Sequence, residues 1–258
     1  MMDNKVTTPN TNSTNVESHK KKWIVGSILL SLFLISILAC VIYLSDYYHA
    51  DLDSINTYSM NANIKQIVLE NDTIVYLPEN ADAGFIFYPG GKVEHTAYEP
   101  LMIELANEGI LCILLKMPFH LAVFDINAAE GVTEEYPEID NWYPGGHSLG
   151  GSMAASYLSK NAEDYEGIVL LGSYSTADLS AFDLDVLSIY GSEDLVLNHD
   201  NYAESISNLP NDYEEIVLEG GCHAYFGVYG PQEGDGTPTI SNREQIKITV
   251  ECILEFMR

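Results

Sequence analysis

Basic side chains are scarce in this chain of 258 residues. It holds 11 Lys and Arg against 38 Asp and Glu, which gives a formal net charge of −27. Four of the eleven basic residues precede or flank a long apolar segment near the beginning, so the rest of the chain is strongly acidic. Such a charge repels polyanions, and we therefore expect neither nucleic acid nor an anionic lipid surface as a partner.

Cysteine is also rare. The four cysteines are too few for a disulfide framework at this length. No cysteine or histidine pair has the spacing of metal ligands, so we expect no metal ion and no cofactor. We interpret the excess of acidic residues as a means of keeping the surface soluble rather than as the mark of a substrate.

The beginning of the chain differs from the rest in composition. Residues 1–22 are rich in Asn, Thr and Ser and end in three lysines, which is typical of a disordered tail. The next 22 residues carry no charge, and at about 1.5 Å per residue they cover roughly 30 Å, the thickness of a bilayer core. We expect a transmembrane helix over residues 23–45. The lysines before it predict a cytoplasmic N-terminus and an extracellular domain, joined by a stalk over residues 46–64.

The apolar segment has two other interpretations. A cleaved signal peptide would have a shorter apolar run and small residues before the cleavage site, and the exit from this run offers no such site. A lipoprotein site at Cys40 is conceivable because Ala39 precedes it. The apolar run continues past the cysteine, however, which favours an uncleaved single-pass signal anchor in the cell membrane.

Residues 65–258 alternate apolar strands with helices and contain no internal repeat. Such alternation predicts an α/β fold, with a mostly parallel sheet covered by helices on both faces and an antiparallel hairpin at its beginning. The short connection before the strand at 186–190 leaves little room for a cap domain. The predicted strands are 66–70, 73–77, 84–88, 110–115, 167–171, 186–190 and 213–218, and the predicted helices include 97–107, 121–129 and 243–257.

The sequence Gly146-His147-Ser148-Leu149-Gly150 fits the G-x-S-x-G pattern of a nucleophile elbow. In such an elbow a serine lies on a strained turn between a strand and a helix, and glycines on either side keep the two elements from colliding. The N-terminus of the helix supplies backbone N–H groups suited to a developing oxyanion. Because Pro144 lies four residues before the serine, we expect the strand to begin late or to bulge.

An acid and a histidine follow the next predicted strands. Asp194 comes after the strand that ends at residue 190, with Glu193 beside it as a rival, and His223 comes after the strand that ends at residue 218. In a parallel sheet both positions lie at the edge where ligands bind. The chain order of serine, acid and histidine is the order of an α/β-hydrolase triad.

A glycine-rich turn after the strand at 84–88 supplies a fourth element. Its glycines allow backbone N–H groups to turn toward a substrate oxygen. We expect the N–H of Gly91 or Lys92 to pair with that of Leu149 as an oxyanion hole.

Together these motifs resemble the α/β-hydrolase superfamily, and more narrowly the small bacterial hydrolases related to dienelactone hydrolases and carboxylesterases. The resemblance covers about residues 65–258, and the run 227–236 is similar to membrane-anchored members of that group. It implies that Ser148 is the nucleophile, that His223 is the general base and then acid, and that Asp194 orients the histidine.

The sequence therefore predicts a membrane-anchored extracytoplasmic serine hydrolase, with a carboxylesterase of small or accessible esters as the first hypothesis. An acyltransferase to a cell-envelope acceptor is one alternative, if water is excluded from the acyl-enzyme. A non-catalytic binding module that retains the fold is another. The sequence sets neither the acyl and alcohol groups nor the oligomeric state.

Overall fold

The computed structural model describes residues 11–258, so the first part of the expected tail lies outside it. Its first unit contains helix α1 (Thr11–Ser45). The stretch Val25–Ser45 has 21 residues and a mean hydropathy of 2.8, long and apolar enough to cross a membrane, as in an anchor or a signal sequence. The sequence predicts a tail to residue 22, whereas α1 begins at Thr11. Extension of an existing helix avoids the cost of nucleation, which accounts for the earlier start.

The second unit, Tyr47–Arg258, is built on an eight-stranded sheet. Its strands are β1 (Ile64–Val68), β2 (Ile74–Pro78), β3 (Ala83–Tyr88), β4 (Ile110–Leu114), β5 (Trp142–His147), β6 (Gly167–Leu171), β7 (Asp185–Gly191) and β8 (Glu214–Leu218). In space they follow the order β1-β2-β4-β3-β5-β6-β7-β8. The pairings β1–β2 and β2–β4 are antiparallel and all the others are parallel, which confirms the mostly parallel sheet with an antiparallel edge.

Helices cover both faces of this sheet, as predicted. Phe85 and Phe87 belong to one apolar cluster, together with residues of α3 (Glu99–Asn107) and α7 (Asn242–Phe256). Ile86 and Tyr88 belong to a second cluster on the other face, because side chains alternate along a strand. The remaining helices are α2 (Leu52–Ile55), α4 (Val132–Glu135), α5 (Leu149–Asn161) and α6 (His199–Ser205), and the 3-10 turns are His95–Tyr98, Pro118–His120, Ala122–Phe124, Ala162–Asp164, Ile206–Asn208 and Ala224–Phe226.

The structure departs from the sequence prediction at residues 121–129. No α-helix forms there, and a 3-10 turn covers Ala122–Phe124. Phe119 and His120 both have left-handed backbone, with φ of 53° and 56°, and Leu121 is extended. The chain therefore turns sharply where a helix was expected. The connection between β6 and β7 spans only residues 172–184, and no large cap domain is inserted there.

Pro144 is accommodated within β5 without the late start that the sequence suggested. The strand begins at Trp142, and Pro144 pairs in register with Ile86 of β3. Pairing with β6 begins only at Gly145, so no ladder position is lost on that side.

Residues 46–64 were predicted to form a stalk, but from Tyr47 onward they belong to the second unit. Tyr48 forms a parallel bridge with Val93, and the Ile55 side chain is buried in the core. The segment lacks the apolar periodicity by which a packed element is recognised in a sequence.

Candidate active site

Ser148 lies on the turn between β5 and α5. Its backbone has φ 52° and ψ −123°, a strained conformation for a residue with a side chain. The flanking glycines permit this turn, because a Cβ on Gly150 would overlap the Tyr88 carbonyl oxygen and a Cβ on Gly146 would overlap the backbone of α5. The residue is therefore held in the geometry of a nucleophile elbow.

His223 and Asp194 meet at the same edge of the sheet. The His223 Nδ1 atom lies 2.8 Å from Asp194 Oδ2, and both side chains are almost fully buried. The other oxygen, Asp194 Oδ1, accepts hydrogen bonds from the N–H groups of Val196 at 3.0 Å and Leu197 at 2.8 Å. A carboxylate held by two amides can fix the tautomer and orientation of an imidazole.

Glu193, the rival acid, does not take this place. Its carboxylate accepts a hydrogen bond from the exposed Ser192 hydroxyl at 3.3 Å. The structure thus brings Asp194 to the histidine and leaves Glu193 outside the cluster.

Ser148 and His223 line one cavity of about 260 Å³. The His223 Nε2 atom is buried and has no hydrogen-bond partner among the described residues. That nitrogen is available to the serine hydroxyl, and such bonds often tighten only when substrate is bound. The cavity walls combine polar residues, among them Ser152, Ser173, Tyr174 and Asn198, with the apolar side chains of Leu149, Val196 and Leu197.

The backbone at the histidine is fixed by a carboxylate that the sequence analysis did not single out. Asp235 accepts hydrogen bonds from the N–H of His223 at 3.2 Å and of Ala224 at 2.8 Å. It also accepts one from the N–H of Gly236 at 2.8 Å. An acidic residue in the glycine-rich run after the histidine was the only sequence signal for this contact.

A second histidine, His147, packs against the first. Their ring centroids are 4.4 Å apart, and His147 Nδ1 lies 2.8 Å from the Tyr98 hydroxyl. The same hydroxyl accepts a hydrogen bond from the N–H of Gly90 at 3.1 Å. Burial raises the pKa of Tyr98, so its hydroxyl keeps its proton. We assign the Tyr98 hydroxyl as the donor of this hydrogen bond and His147 Nδ1 as the acceptor.

His147 is therefore neutral in the folded protein. Burial and then the neighbouring His223 ring hold the pKa of His147 well below its usual value. Through Tyr98, this histidine connects the base to the glycine-rich turn. This arrangement gives His147 a packing role.

The oxyanion prediction needs one correction. The N–H of Lys92 donates to the His120 carbonyl oxygen at 2.7 Å, so it is not free to face a substrate. Gly91 lies against Leu149, since a Cβ on Gly91 would contact the Leu149 side chain. Of the N–H groups expected for an oxyanion hole, those of Gly91 and Leu149 therefore remain as candidates.

The glycine-rich turn is tied to the segment that follows α1. The Tyr48 N–H donates to the Lys92 carbonyl oxygen at 2.8 Å, and the Glu94 N–H donates to the Tyr48 carbonyl oxygen at 2.9 Å. The Ala50 N–H donates to Glu94 Oε2 at 3.0 Å. The oxyanion side of the site therefore depends on residues that the sequence analysis placed in a stalk.

A model described as the alpha/beta hydrolase family matches residues 84–247. The chain belongs to the alpha/beta hydrolase family. A search of the curated proteins finds no match.

Several solved structures share the fold of this hydrolase. The dienelactone hydrolase of Anabaena variabilis is 15% identical, with a TM-score of 0.57, over 76% of this chain and 100% of its own. A CIB-like hydrolase of Thermoplasma acidophilum is 14% identical, with a TM-score of 0.52, over 74% and 98%. TT1662 of Thermus thermophilus is 12% identical, with a TM-score of 0.57, over 77% and 99%. At these identities the likeness concerns the fold.

Proposed function

We propose that this protein is a serine hydrolase in which Ser148 is the nucleophile, His223 the general base and Asp194 its orienting carboxylate. The observation that carries the proposal is the buried 2.8 Å contact between His223 and Asp194. His223 lines the same cavity as the elbow serine, Ser148. A buried acid that holds a histidine beside a strained serine is the arrangement that acyl transfer through serine requires.

The steps follow from this geometry. The Ser148 Oγ atom attacks an acyl carbonyl while His223 Nε2 takes its proton, and the N–H groups of Leu149 and Gly91 hold the oxyanion. His223 then gives the proton to the departing alkoxide, which leaves as an alcohol. Water, deprotonated by the same nitrogen, attacks the acyl-enzyme, and the acid is released with Ser148 restored.

A carboxylic ester of small size fits the cavity best. The cavity volume of about 260 Å³ accommodates a short acyl group rather than a long acyl chain. The hydroxyl groups of Ser152 and Ser173 each donate a hydrogen bond to a backbone carbonyl oxygen at 2.6 Å. These two polar groups of the cavity wall therefore already have partners within the protein. We expect short-chain esters to be the first substrates to react.

We also propose that α1 is an uncleaved signal anchor. Its apolar stretch Val25–Ser45 is long enough to cross a bilayer, and three lysines precede it. The positive-inside rule then gives a cytoplasmic N-terminus and a catalytic domain outside the cell.

A fluorophosphonate probe tests the catalytic proposal on the full chain. We expect the probe to label the parent protein, and Ser148→Ala to abolish both labelling and the hydrolysis of short-chain p-nitrophenyl esters. Ser159→Ala is the matched control, because this serine lies on α5, the helix that Ser148 precedes, and its hydroxyl donates to the Ser156 carbonyl oxygen. Failure of the folded parent protein to react would favour a non-catalytic binding module.

A further inference from the structure

Three large apolar side chains form an exposed patch beside the active site. Phe119 is 60% exposed, Phe124 56% and Val123 44%. The two phenylalanine rings contact each other edge to face, with their centroids 5.7 Å apart. Apolar residues exposed singly are common, whereas exposed aromatic side chains that contact each other are candidates for an interaction surface. We call these three residues the apolar patch.

The loop that carries the apolar patch is held in place. The His120 carbonyl oxygen accepts the N–H of Lys92 at 2.7 Å, and the Ile126 carbonyl oxygen accepts the Tyr88 hydroxyl at 2.9 Å. Phe119 also keeps a left-handed backbone, with φ of 53°. The phenylalanine rings are therefore presented to solvent by a fixed loop, although burial would be the more stable place for them.

The apolar patch borders the oxyanion side of the site. Leu121, in the same loop, lies so close to Gly91 that a Cβ on that glycine would approach its side chain to 3.5 Å. Whatever covers the apolar patch therefore comes within reach of the turn that faces the substrate oxygen.

The position of Tyr47 indicates what covers the patch. Its ring stacks on His120, the residue next to Phe119, with centroids 3.9 Å apart and planes inclined by 25°. Tyr47 is the second residue after α1 ends at Ser45, and two residues of chain extend no more than about 7 Å. Tyrosines are enriched where a membrane span meets water. The chain that follows the proposed anchor thus enters the second unit next to the apolar patch.

We propose that the apolar patch docks into the lipid–water interface of the membrane that α1 spans. The proposal rests on the membrane anchor described under the proposed function. Aromatic and aliphatic side chains bind at the boundary between lipid headgroups and acyl chains in proportion to the apolar area that they bury. Apolar contact of this kind agrees with the acidic charge of the chain, which disfavours attraction to anionic lipids. Esters carried at the lipid surface would then meet the site on its oxyanion side.

Fluorescence quenching in vesicles tests this docking. The full chain is reconstituted into phosphatidylcholine vesicles that contain a lipid with a nitroxide on its acyl chain near the headgroup. Phe119→Trp and Phe124→Trp are made separately in a Trp23→Phe background, which retains only the buried Trp142. Phe182→Trp is the matched control, because Phe182 is 36% exposed and precedes β7, at the end of the strands opposite to the site.

We expect the nitroxide lipid to reduce the emission of Trp at 119 and at 124 at least twice as strongly as that of Trp at 182. Equal quenching at all three positions would overturn the proposal. So would unquenched emission at 119 and 124 that shifts to the blue as the protein-to-lipid ratio rises, since a second copy of the chain would then cover the patch.

The anchor has its own readout in the same vesicles. The parent chain retains Trp23, at the beginning of the apolar segment, and its emission should be quenched when α1 is inserted. Lack of quenching at Trp23 would overturn the anchor and the docking proposal together. The serine chemistry is judged separately, by fluorophosphonate labelling.

Discussion

The proposed acid and base lie on loops that directly follow β7 and β8, whereas the proposed oxyanion turn after β3 is tied to the segment that follows α1. On the acid–base side, Asp194 is fully buried and holds His223 through a 2.8 Å contact. On the oxyanion side, the backbone of Tyr48 bonds to Lys92 and Glu94, and a partly buried hydrogen bond joins the Ala50 N–H to the Glu94 carboxylate.

From this difference we expect the two sides of the site to contribute differently to catalysis. Buried, charge-assisted hydrogen bonds are stronger than exposed ones and depend less on solvent. We therefore expect substitutions on the acid–base side to act on the chemical step. Substitutions on the oxyanion side should shift the position of one turn and so lower kcat/KM only a few-fold.

The largest effect is expected for Asp194→Asn. The amide can no longer stabilise the charged imidazole and can favour the wrong tautomer, so kcat should fall by about 10⁴-fold. Ester hydrolysis and the rate of fluorophosphonate labelling both report this loss. Glu193→Gln is the matched control, because the Glu193 carboxylate accepts an exposed hydrogen bond from the adjacent Ser192 hydroxyl and does not bond to His223. A larger loss for Glu193→Gln than for Asp194→Asn would reverse the assignment of the acid.

The acid–base side is also the part that could be predicted from the sequence. Ser148, Asp194 and His223 each come shortly after a strand, and the carboxyl ends of parallel strands meet at one edge of a sheet. Such positions can be inferred because strand, turn and functional residue are adjacent in the chain. The fold class could be predicted as well, because the alternation of strands and helices is also a local pattern in the chain.

The oxyanion side could not be predicted as well, because its contacts join distant parts of the chain. The N–H of Lys92 is occupied by His120, 28 residues later, in a loop whose sequence suggested a helix. Residues 46–64 have no apolar periodicity, and only the folded chain shows Tyr48 beside Val93. Asp235 was missed likewise, since a carboxylate in a glycine-rich run has many possible partners.

A second, intermediate effect sharpens the comparison at His147, which touches both sides of the site. Its pKa is held well below its usual value in the folded protein, first by burial and then by the His223 ring. Below a pH of about 6.5 the unfolded chain binds a proton that the folded protein excludes. The free energy of unfolding should therefore decrease on acidification, by up to about 1.4 kcal/mol per pH unit from this group.

His147→Asn removes the titrating ring and keeps an acceptor for the Tyr98 hydroxyl. Urea unfolding of the parent chain and the variant between pH 7 and pH 5 measures the difference in slope. His49→Gln is the control, because the His49 side chain is 70% exposed. Equal slopes for the parent chain and His147→Asn would show that the buried ring binds its proton as readily when folded as when unfolded.

The smallest effect is expected on the oxyanion side, for Glu94→Gln. The Glu94 carboxylate accepts the Ala50 N–H at 3.0 Å and lies 3.5 Å from His49 Nδ1. Glutamine keeps an acceptor oxygen but loses the charge, and a partly exposed bond of this kind contributes about 1 kcal/mol or less. We expect kcat/KM for a short-chain ester to fall two- to fivefold, with Glu108→Gln, exposed at the end of α3, as the control. A loss approaching that of Asp194→Asn would mean that the segment after α1 supports the chemical step itself, and the division between the two sides would no longer hold.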